Sequence, residues 1–340
     1  YAVAERIRSM SITIKDVAKE AGVSVATVSR VLNGSCNVSD ESTKKVNETI
    51  ARLNYSPNFL GRNLRKCETN VILVIMPTSE HSLYSKIVMG MQEYAGKVGY
   101  DIITAVSYST STAETRQMNM LFNRTVDGVI LLGTQYDAAS LNKLAENYNV
   151  ALCCEGVEGA NVLTVAVDDE QAAFDAVAAL IKKGHKRIGF IGTNSAAISS
   201  TARENGYIRA LKEYGIEIKN EYIYKESYDY DCGGRAFEYF NALDEKPTAI
   251  FAVSDLLAIS AMHKAIDMDI DVGKDVAIMG FDNISMCEWI IPTLSTVEQP
   301  CSKMGELVVA KLIENMNKTT KDNHYYTVDH RIILRESTGD

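Results

Sequence analysis

Residues 24–33 form a short segment whose side chains could read a nucleic acid. Helical spacing places Val28, Val31 and Leu32 on one apolar face. The opposite face is small and polar, and Arg30 supplies a cationic donor suited to the edge of a guanine base. The residues on this face and at its leading end are Val25, Ala26, Thr27, Ser29, Arg30 and Asn33. Such a helix can enter a major groove, although a plain surface helical hairpin would show the same spacing.

A second group of polar residues follows the predicted strands of the remaining chain. The carboxyl ends of parallel strands lie at one edge of a sheet, and ligands bind there. The polar segments at these positions are 77–79, 133–134, 155, 192–194, 254–255 and 282–283. Two such edges facing each other would form a cleft for a small polar ligand. An open alternative is that Glu155 and Asp282 serve as the carboxylate pair of a glycoside hydrolase.

Three helices are predicted around the first segment. Thr13 caps the first helix, and Asp16 completes a short capping box. Gly22 suits a left-handed turn position, Ser24 caps the second helix and Ser39 caps the third. The apolar residues that would close this unit are Ile14, Val17, Ala18, Ala21, Val23, Val46, Ile50 and Leu53. The front of the chain is therefore predicted to be an all-α helix-turn-helix headpiece.

From residue 70 onward, short apolar runs alternate with longer amphipathic segments. The predicted strands are 71–76, 101–106, 128–132, 150–154, 163–167, 187–191, 249–253, 276–281 and 325–334. The predicted helices are 83–98, 113–123, 138–147, 170–183, 200–214, 231–243, 256–267 and 301–316. This alternation predicts an α/β core of two doubly wound lobes with parallel sheets.

Charge is distributed unevenly along the 340 residues. The net charge is −9, yet residues 11–66 contain nine basic and five acidic side chains. A basic headpiece on an acidic body suits phosphate contacts at the headpiece only. There is no membrane-length apolar run and no secretory pattern, and the seven cysteines form no CxxC pair. We therefore expect a cytoplasmic protein with reduced thiols.

The sequence predicts neither an enzyme nor a cofactor nor a metal site. It contains no phosphate-binding loop, no GxGxxG and no GxSxG motif. The five histidines form no recognisable constellation and have no zinc-ligand spacing. A sugar-binding receptor without a DNA role remains an alternative, but the headpiece and the missing secretory pattern argue against it.

The headpiece resembles that of the LacI/GalR family of bacterial repressors. The resemblance rests on residues 13–34, on Lys44-Lys45-Val46, on 53–58, and above all on the Ala-Thr-Val-Ser-Arg-Val-Leu-Asn-Gly sequence at 26–34. It implies a repressor that reads a pseudo-palindromic operator as a homodimer. Val25, Ala26 and Thr27 would then read thymine methyls or DNA shape. The implied phosphate and positioning contacts are Ser24, Ser29, Asn33, Asn37 and Tyr55.

The same resemblance implies a DNA-binding domain of residues 11–57 followed by a hinge helix over residues 58–67. Residues 1–10, which lead up to Met10, are interpreted separately as a disordered extension. Leu64 would wedge into a base step of the minor groove. Gly61 costs such a helix roughly 0.5–1 kcal/mol relative to Ala, so its folding would depend more on DNA and on a partner subunit. The headpiece sequence is somewhat closer to that of catabolite-control relatives than to that of the lactose repressor. Such relatives can also respond to a phosphoprotein corepressor.

The core, residues 70–340, resembles the type I periplasmic-binding-protein fold. This implies chain crossings near Val167, Val297 and Val328, a first lobe of residues 70–167 and 298–327, and a second of 168–297 and 328–340. The resemblance implies that Arg203 and Asp282 bind the hydroxyls of a small effector such as a sugar, and that Tyr228 stacks on it. The further implied lining residues are Tyr84, Glu155, Asp168 and Ser254. No heptad repeat follows Leu334, which favours a dimer over a tetramer.

Overall fold

The computed structural model describes residues 12–32, 38–53, 55, 68–194, 197–318 and 321–340. The chain divides into two compact units, Tyr1–Glu68 and Thr69–Asp340. The predicted fold class, an all-α headpiece with a two-lobed α/β core, is confirmed. Within the described parts of the chain, no helix is long and apolar enough to span a membrane. Residues 33–37 and 56–67, which contain Asn33, Asn37 and the predicted hinge with Leu64, lie outside the described residues.

The described part of the headpiece contains three helices, α1 (Ile14–Ala21), α2 (Val25–Leu32) and α3 (Asp40–Leu53). The predicted caps are present: Thr13 N donates to Asp16 Oδ2 at 2.8 Å, and Thr27 N donates to Ser24 Oγ at 3.0 Å. Gly22 ends α1 with a φ of 67°, a conformation that costs glycine little. The helices pack around a small core whose most buried members are Val17, Ala18, Val28 and Val46.

The first lobe has a parallel six-stranded sheet. Its strands are β1 (Val71–Met76), β2 (Asp101–Val106), β3 (Gly128–Leu131), β4 (Val150–Cys154), β5 (Leu163–Ala166) and β11 (Tyr325–Thr327). Its helices are α4 (Ser82–Val98), α5 (Ser111–Phe122), α6 (Ala138–Asn147) and α11 (Cys301–Met316). The strand order is β11-β5-β4-β3-β1-β2, and every pair is parallel. Five of the six residues of β1 are buried, as expected for a strand covered on both faces.

The second lobe repeats this architecture. Its strands are β6 (Ile188–Thr193), β7 (Ile223–Glu226), β8 (Ala249–Ala252), β9 (Ala277–Asp282), β10 (Ser295–Glu298) and β12 (Arg331–Ile333). Its helices are α7 (Asp169–Lys182), α8 (Ile198–Glu213), α9 (Tyr230–Asn241) and α10 (Asp255–Asp267). The order is β12-β10-β9-β8-β6-β7, and only β12 is antiparallel to its neighbour. The edge strand β7 was not predicted, because it is half-exposed and carries no apolar run.

The chain passes between the lobes three times. The connections are residues 167–168, 299–300 and 328–330, since β5, α11 and β11 belong to the first lobe and α7, β10 and β12 to the second. Val297 lies within β10, so the second connection begins two residues later than expected. The segment predicted to be extended, 325–334, contains β11 and β12, one in each sheet, separated by the third connection near Val328.

Helices α7 and α8 pack closely because Gly206 has no side chain. A Cβ built at Gly206 would lie 2.2 Å from Glu170 O and 2.8 Å from Ala173 Cβ. Both distances are too short for real atoms, so any larger residue must separate the two helices. Asp169 at the start of α7 and Arg203 on α8 therefore owe their proximity to this glycine.

We expect Gly206→Ala to lower the free energy of unfolding of the core by about 1–3 kcal/mol, because the added methyl overpacks the helix crossing. The matched control is Gly96→Ala in α4, where an added Cβ meets nothing within 4 Å. Because alanine favours helix, the control should be neutral or stabilising by up to ~1 kcal/mol. Urea unfolding followed by circular dichroism measures both, and equal midpoints for the two variants would contradict the close crossing.

Candidate functional site: a DNA-reading helix and an interlobe cleft

Helix α2 presents the predicted polar face outward. Val28 is buried in the headpiece core, whereas Ser24, Val25, Ala26 and Arg30 are exposed. Val25 is 41% exposed, so its methyl groups are accessible on this face. Thr27 and Ser29 are half-buried. The helix thus offers small side chains and one long cation, a shape suited to a major groove.

Tyr55 occupies a different position from these residues. Its ring is half-buried and packs against the apolar cluster of the headpiece, and its amide donates to Ile50 O at 3.0 Å. This contact closes the end of α3. Any DNA contact by Tyr55 would therefore come from a side chain that also stabilises the headpiece.

A cleft of about 710 Å³ lies between the two lobes of the core. Its size falls in the range of small-molecule sites. Residues of both lobes line it, because the carboxyl ends of the two sheets face each other there. The predicted effector residues found in its lining are Tyr84, Glu155, Arg203, Tyr228, Ser254 and Asp282.

Arg203 is a buried cation held by carboxylates and a carbonyl. Its Nε donates to Asp169 Oδ1 at 2.8 Å, and its Nη2 lies 2.8 Å from the same oxygen. Its Nη1 donates to Val253 O at 2.6 Å and lies 3.6 Å from Asp282 Oδ1. The guanidinium carbon sits 3.6 Å from the ring centroid of Phe281. This surrounding fixes the guanidinium plane.

Burial and neighbouring charges have opposite effects on the pKa values of Arg203 and Asp169. Burial disfavours the Arg203 cation, but Asp169 and Asp282 outweigh it and keep its pKa raised. Burial raises the pKa of Asp169 to about 6, although the Arg203 guanidinium opposes the shift. Breaking the pair would leave one buried charge uncompensated, which is strongly destabilising.

Asp168 does not reach the cleft. It caps α7, with Gln171 N donating to its Oδ1 at 2.9 Å, and it lines a smaller adjoining pocket of about 260 Å³. The capping bond turns its side chain back onto its own helix. Asp169, one residue later, points inward and meets Arg203 instead.

His81 joins the two lobes across the cleft and was not anticipated from the sequence. Its Nε2 lies 2.9 Å from Tyr228 Oη and 3.6 Å from Asp282 Oδ2. Its ring is stacked on Tyr228, with centroids 6.1 Å apart, and tilted against Tyr84 at 5.4 Å. His81 follows the first strand by five residues and caps α4, so the strand-end rule could have found it.

Two further polar contacts cross between the lobes. Ser199 N, in the first turn of α8, donates to Glu155 Oε2 at 3.2 Å. Lys86 on α4 donates from Nζ to Asn283 O at 2.7 Å. These contacts hold the cleft in the arrangement seen here, and a ligand that displaced them would change the angle between the lobes.

Asp282 depends on a second, buried carboxyl behind it. Asp282 has a φ of 120°, which a non-glycine residue adopts only when its surroundings enforce it. Asp255, fully buried, accepts from Ile284 N at 2.8 Å and from Thr296 Oγ1 at 2.5 Å, and so fixes the loop after β9. Gln299 Nε2 donates to Asp282 Oδ1 at 2.7 Å. Ser254 also acts locally, since its Oγ caps α10 by accepting from Leu257 N at 3.4 Å.

The described residues contain no group of three or more His, Cys, Asp or Glu side chains placed to hold a metal ion. The groups that the cleft offers to a ligand are carboxylate acceptors, one held guanidinium and aromatic faces. These groups match hydroxyls and the apolar face of a sugar-like ring.

Comparison with known proteins relates both units to transcriptional regulators. The model of bacterial regulatory proteins of the lacI family matches residues 13–58, and that of a periplasmic binding protein-like domain matches residues 177–338. The chain is 38% identical over 331 residues to catabolite control protein A of Priestia megaterium, across 97% of this chain and 100% of that protein.

Two solved structures share the fold over nearly the whole chain. The complex of the transcriptional regulator CelR with cellobiose has a TM-score of 0.72 and 27% identity, with coverage of 96% of this chain and 99% of that one. The Lac repressor dimer bound to operator and an anti-inducer has a TM-score of 0.88, with coverage of 97% and 99%. At 23% identity, the second likeness supports the fold alone.

Asp255 predicts a pH dependence of stability. Burial, and then the nearby charge of Asp282, raise its pKa from 3.8 to about 7. The folded chain therefore keeps a proton that the unfolded chain releases, so stability present below pH ~4 is lost as the pH rises towards 7, by at most ~1.4 kcal/mol per pH unit. Asp255→Asn should remove this loss, measured as the difference in urea midpoint between pH 5 and pH 7.5.

Asp137→Asn is the matched control for that measurement. Asp137 is exposed, and its bonds to Ser140 lower its pKa, so its contribution has the opposite sign. The assignment of Asp255 fails if its variant and the wild-type chain lose equal stability over the same pH interval.

Proposed function

The chain belongs to the LacI family of bacterial regulatory proteins, and we propose that it is a homodimeric repressor controlled by a small polyhydroxylated ligand bound between its lobes. It is a DNA-binding transcriptional regulator, as its relatives are. The observation that carries the proposed control is the cleft, in which Arg203, Asp282 and Tyr228 converge from different elements. A regulator with the same fold is described with cellobiose, which supports a sugar-like ligand here.

The exposed face of α2 supports the assignment of operator contacts. Arg30 would donate to a guanine, and Val25, Ala26 and Thr27 would contact thymine methyls or follow the shape of the groove. Ser24 and Ser29 flank them at the phosphates, as do Asn33, Asn37 and Tyr55. Leu64 is proposed as the minor-groove wedge on the resemblance alone. The relatives are regulators, which argues against the glycoside hydrolase alternative.

Exposed apolar side chains support self-association of the core. Met286, Trp289 and Ile291, in one short segment of the second lobe, are 41%, 74% and 87% exposed. Apolar residues left so open in a folded domain mark interaction surfaces. A two-fold dimer would cover the same segment in both subunits and match the symmetry of an inverted-repeat operator. Control by a phosphoprotein corepressor stays a prediction from the resemblance.

The proposed control works through the contacts that cross the cleft. A ligand that binds Arg203, Asp282 and Tyr228 competes with the His81 contacts and changes how far the lobes close. Only a ligand that binds one arrangement more tightly can shift the population between arrangements. By linkage, the factor by which the ligand changes operator affinity equals the factor by which operator changes ligand affinity.

The proposed function is tested by selecting duplexes from a random inverted-repeat library with the full chain. We expect one enriched pseudo-palindrome, bound more weakly as salt rises because phosphate contacts release counterions. A ligand screen against that complex should then find a polyhydroxylated compound that changes the operator Kd severalfold. If no duplex is enriched, or binding does not depend on salt, the chain does not act as proposed.

We expect Arg30→Ala to lower affinity for the selected operator by roughly tenfold or more, since a bidentate guanine contact is worth about 1–3 kcal/mol of discrimination. Affinity for unrelated DNA should fall far less. Lys45→Ala is the control, because it removes one exposed headpiece cation that pairs with Glu41 on α3. Fluorescence anisotropy with both duplexes measures the ratio. An unchanged ratio in Arg30→Ala would remove Arg30 from base recognition.

A further inference from the structure

We propose that the interlobe cleft takes a carbohydrate bearing a protonated amine and rejects phosphorylated sugars, with Glu155 as the residue that reads the amine. This inference rests on the proposed function, since it names the ligand class of the same cleft. It follows from the balance of charges around the cavity and from the bonds that already occupy each charged group.

The cleft lining is acidic. Three carboxylates line it, those of Asp137, Glu155 and Asp282, and among the described lining residues the one permanently charged cation is Arg203. A fourth carboxylate, Asp169, lies directly behind that guanidinium. The cavity is partly closed by low-dielectric walls, which strengthens these fields relative to water. An anionic ligand therefore meets net repulsion, and a cationic one meets attraction.

Most donors of Arg203 are already engaged, which leaves little for a phosphate. Its Nε and Nη2 face Asp169, and its Nη1 donates to the carbonyl of Val253. Phe281 covers one face of the guanidinium. A bidentate phosphate complex needs two neighbouring donors on one edge of the fork. A phosphate on the edge formed by Nε and Nη2 would detach Asp169 and leave its carboxylate buried without a cation, which carries a large penalty.

Glu155 is the carboxylate best placed to receive an ammonium group. It follows β4, is half-buried, and lines both the main cleft and the smaller adjoining pocket. Among the described residues, no ion pair includes Glu155, and the one donor seen on its Oε2 is the neutral amide of Ser199. Asp282, by contrast, already has Gln299 on Oδ1 and Arg203 at 3.6 Å. An ammonium bound at Glu155 would be a charge-assisted contact, because none of the described cations pairs with this carboxylate.

The remaining groups of the cleft suit the rest of a sugar. Asp282 Oδ2 can accept from ring hydroxyls, and the faces of Tyr228 and His81 can cover an apolar ring surface. The amine is thus read by Glu155 and the hydroxyls by the Arg203 and Asp282 side. The two functions lie on different elements, so a substitution can separate them.

The first experiment measures thermal shifts of the full chain at pH 7 with matched hexoses. The probes are D-glucose, D-galactose and D-mannose, each as the parent sugar, the 2-amino and 6-amino derivatives, and the 6-phosphate. Apparent Kd values follow from the concentration dependence of Tm. We expect an amino derivative of one sugar to bind more tightly than its parent, and at least tenfold more tightly than its phosphate.

The second experiment asks whether Glu155 causes the preference. Glu155→Gln keeps the side-chain volume and an oxygen for Ser199 N, and the ratio of parent to amine Kd should fall to about one. Glu155→Asp keeps the charge and should retain part of the preference. Glu158→Gln is the matched control, because Glu158 is exposed and outside the cleft lining, and it should leave the ratio unchanged.

Three results would overturn the proposal: a phosphate that binds as tightly as its amino counterpart, no binding by any of the probes, or an amine preference that survives in Glu155→Gln. The same preparations are assayed for binding to the selected operator. This assay separates a failure of the proposed ligand class from a failure of the proposed regulator function. Operator binding that responds to a phosphorylated sugar would remove this ligand class and keep the regulator. Amino-sugar binding without any duplex preference would keep the ligand class and remove the regulator function.

Discussion

The contact between Arg203 and Asp169 is the interaction on which the cleft depends. A buried guanidinium is tolerated only when carboxylates and carbonyls satisfy it, and here two helices must approach closely to supply them. Gly206 permits that approach because any side chain would strike Glu170 O. The packing of α7 against α8 and the pairing of Arg203 with Asp169 are therefore coupled, so a change in either alters the other.

A second constraint is that the chain connects the lobes three times. Residues 167–168, 299–300 and 328–330 form a narrow set of links, and the sheets on either side are rigid and buried. Relative motion must therefore be absorbed at these links and at the polar contacts of His81, Glu155 and Lys86. Those contacts are few and lie beside the ligand cavity, so ligand chemistry can compete with them directly.

The sequence was informative wherever one physical signal was dominant. Continuous apolar runs located buried strands such as β1, and the strand-end rule brought Glu155, Ser254 and Asp282 to one cleft. The edge strand β7 escaped because none of its four residues is fully buried and it carries no apolar run. Asp169 escaped for another reason. Which of the adjacent Asp168 and Asp169 caps the helix, and which turns inward, depends on how α7 packs against α8, and no local pattern encodes that. His81 lies beyond a strand end, but its partners Tyr228 and Asp282 come from the other lobe.

The late pair of strands has a consequence for biosynthesis. Strand β11 completes the edge of the first sheet, and β12 completes the edge of the second. The other strands of the first sheet all precede β11 by more than a hundred residues. Neither sheet can be finished until residues 325–333 have left the ribosome, and such distant pairings form slowly. During synthesis, the headpiece is therefore translated long before the two-lobed core that binds the ligand can finish folding. A regulator of this design can respond to a ligand only after its last strands have been translated and paired.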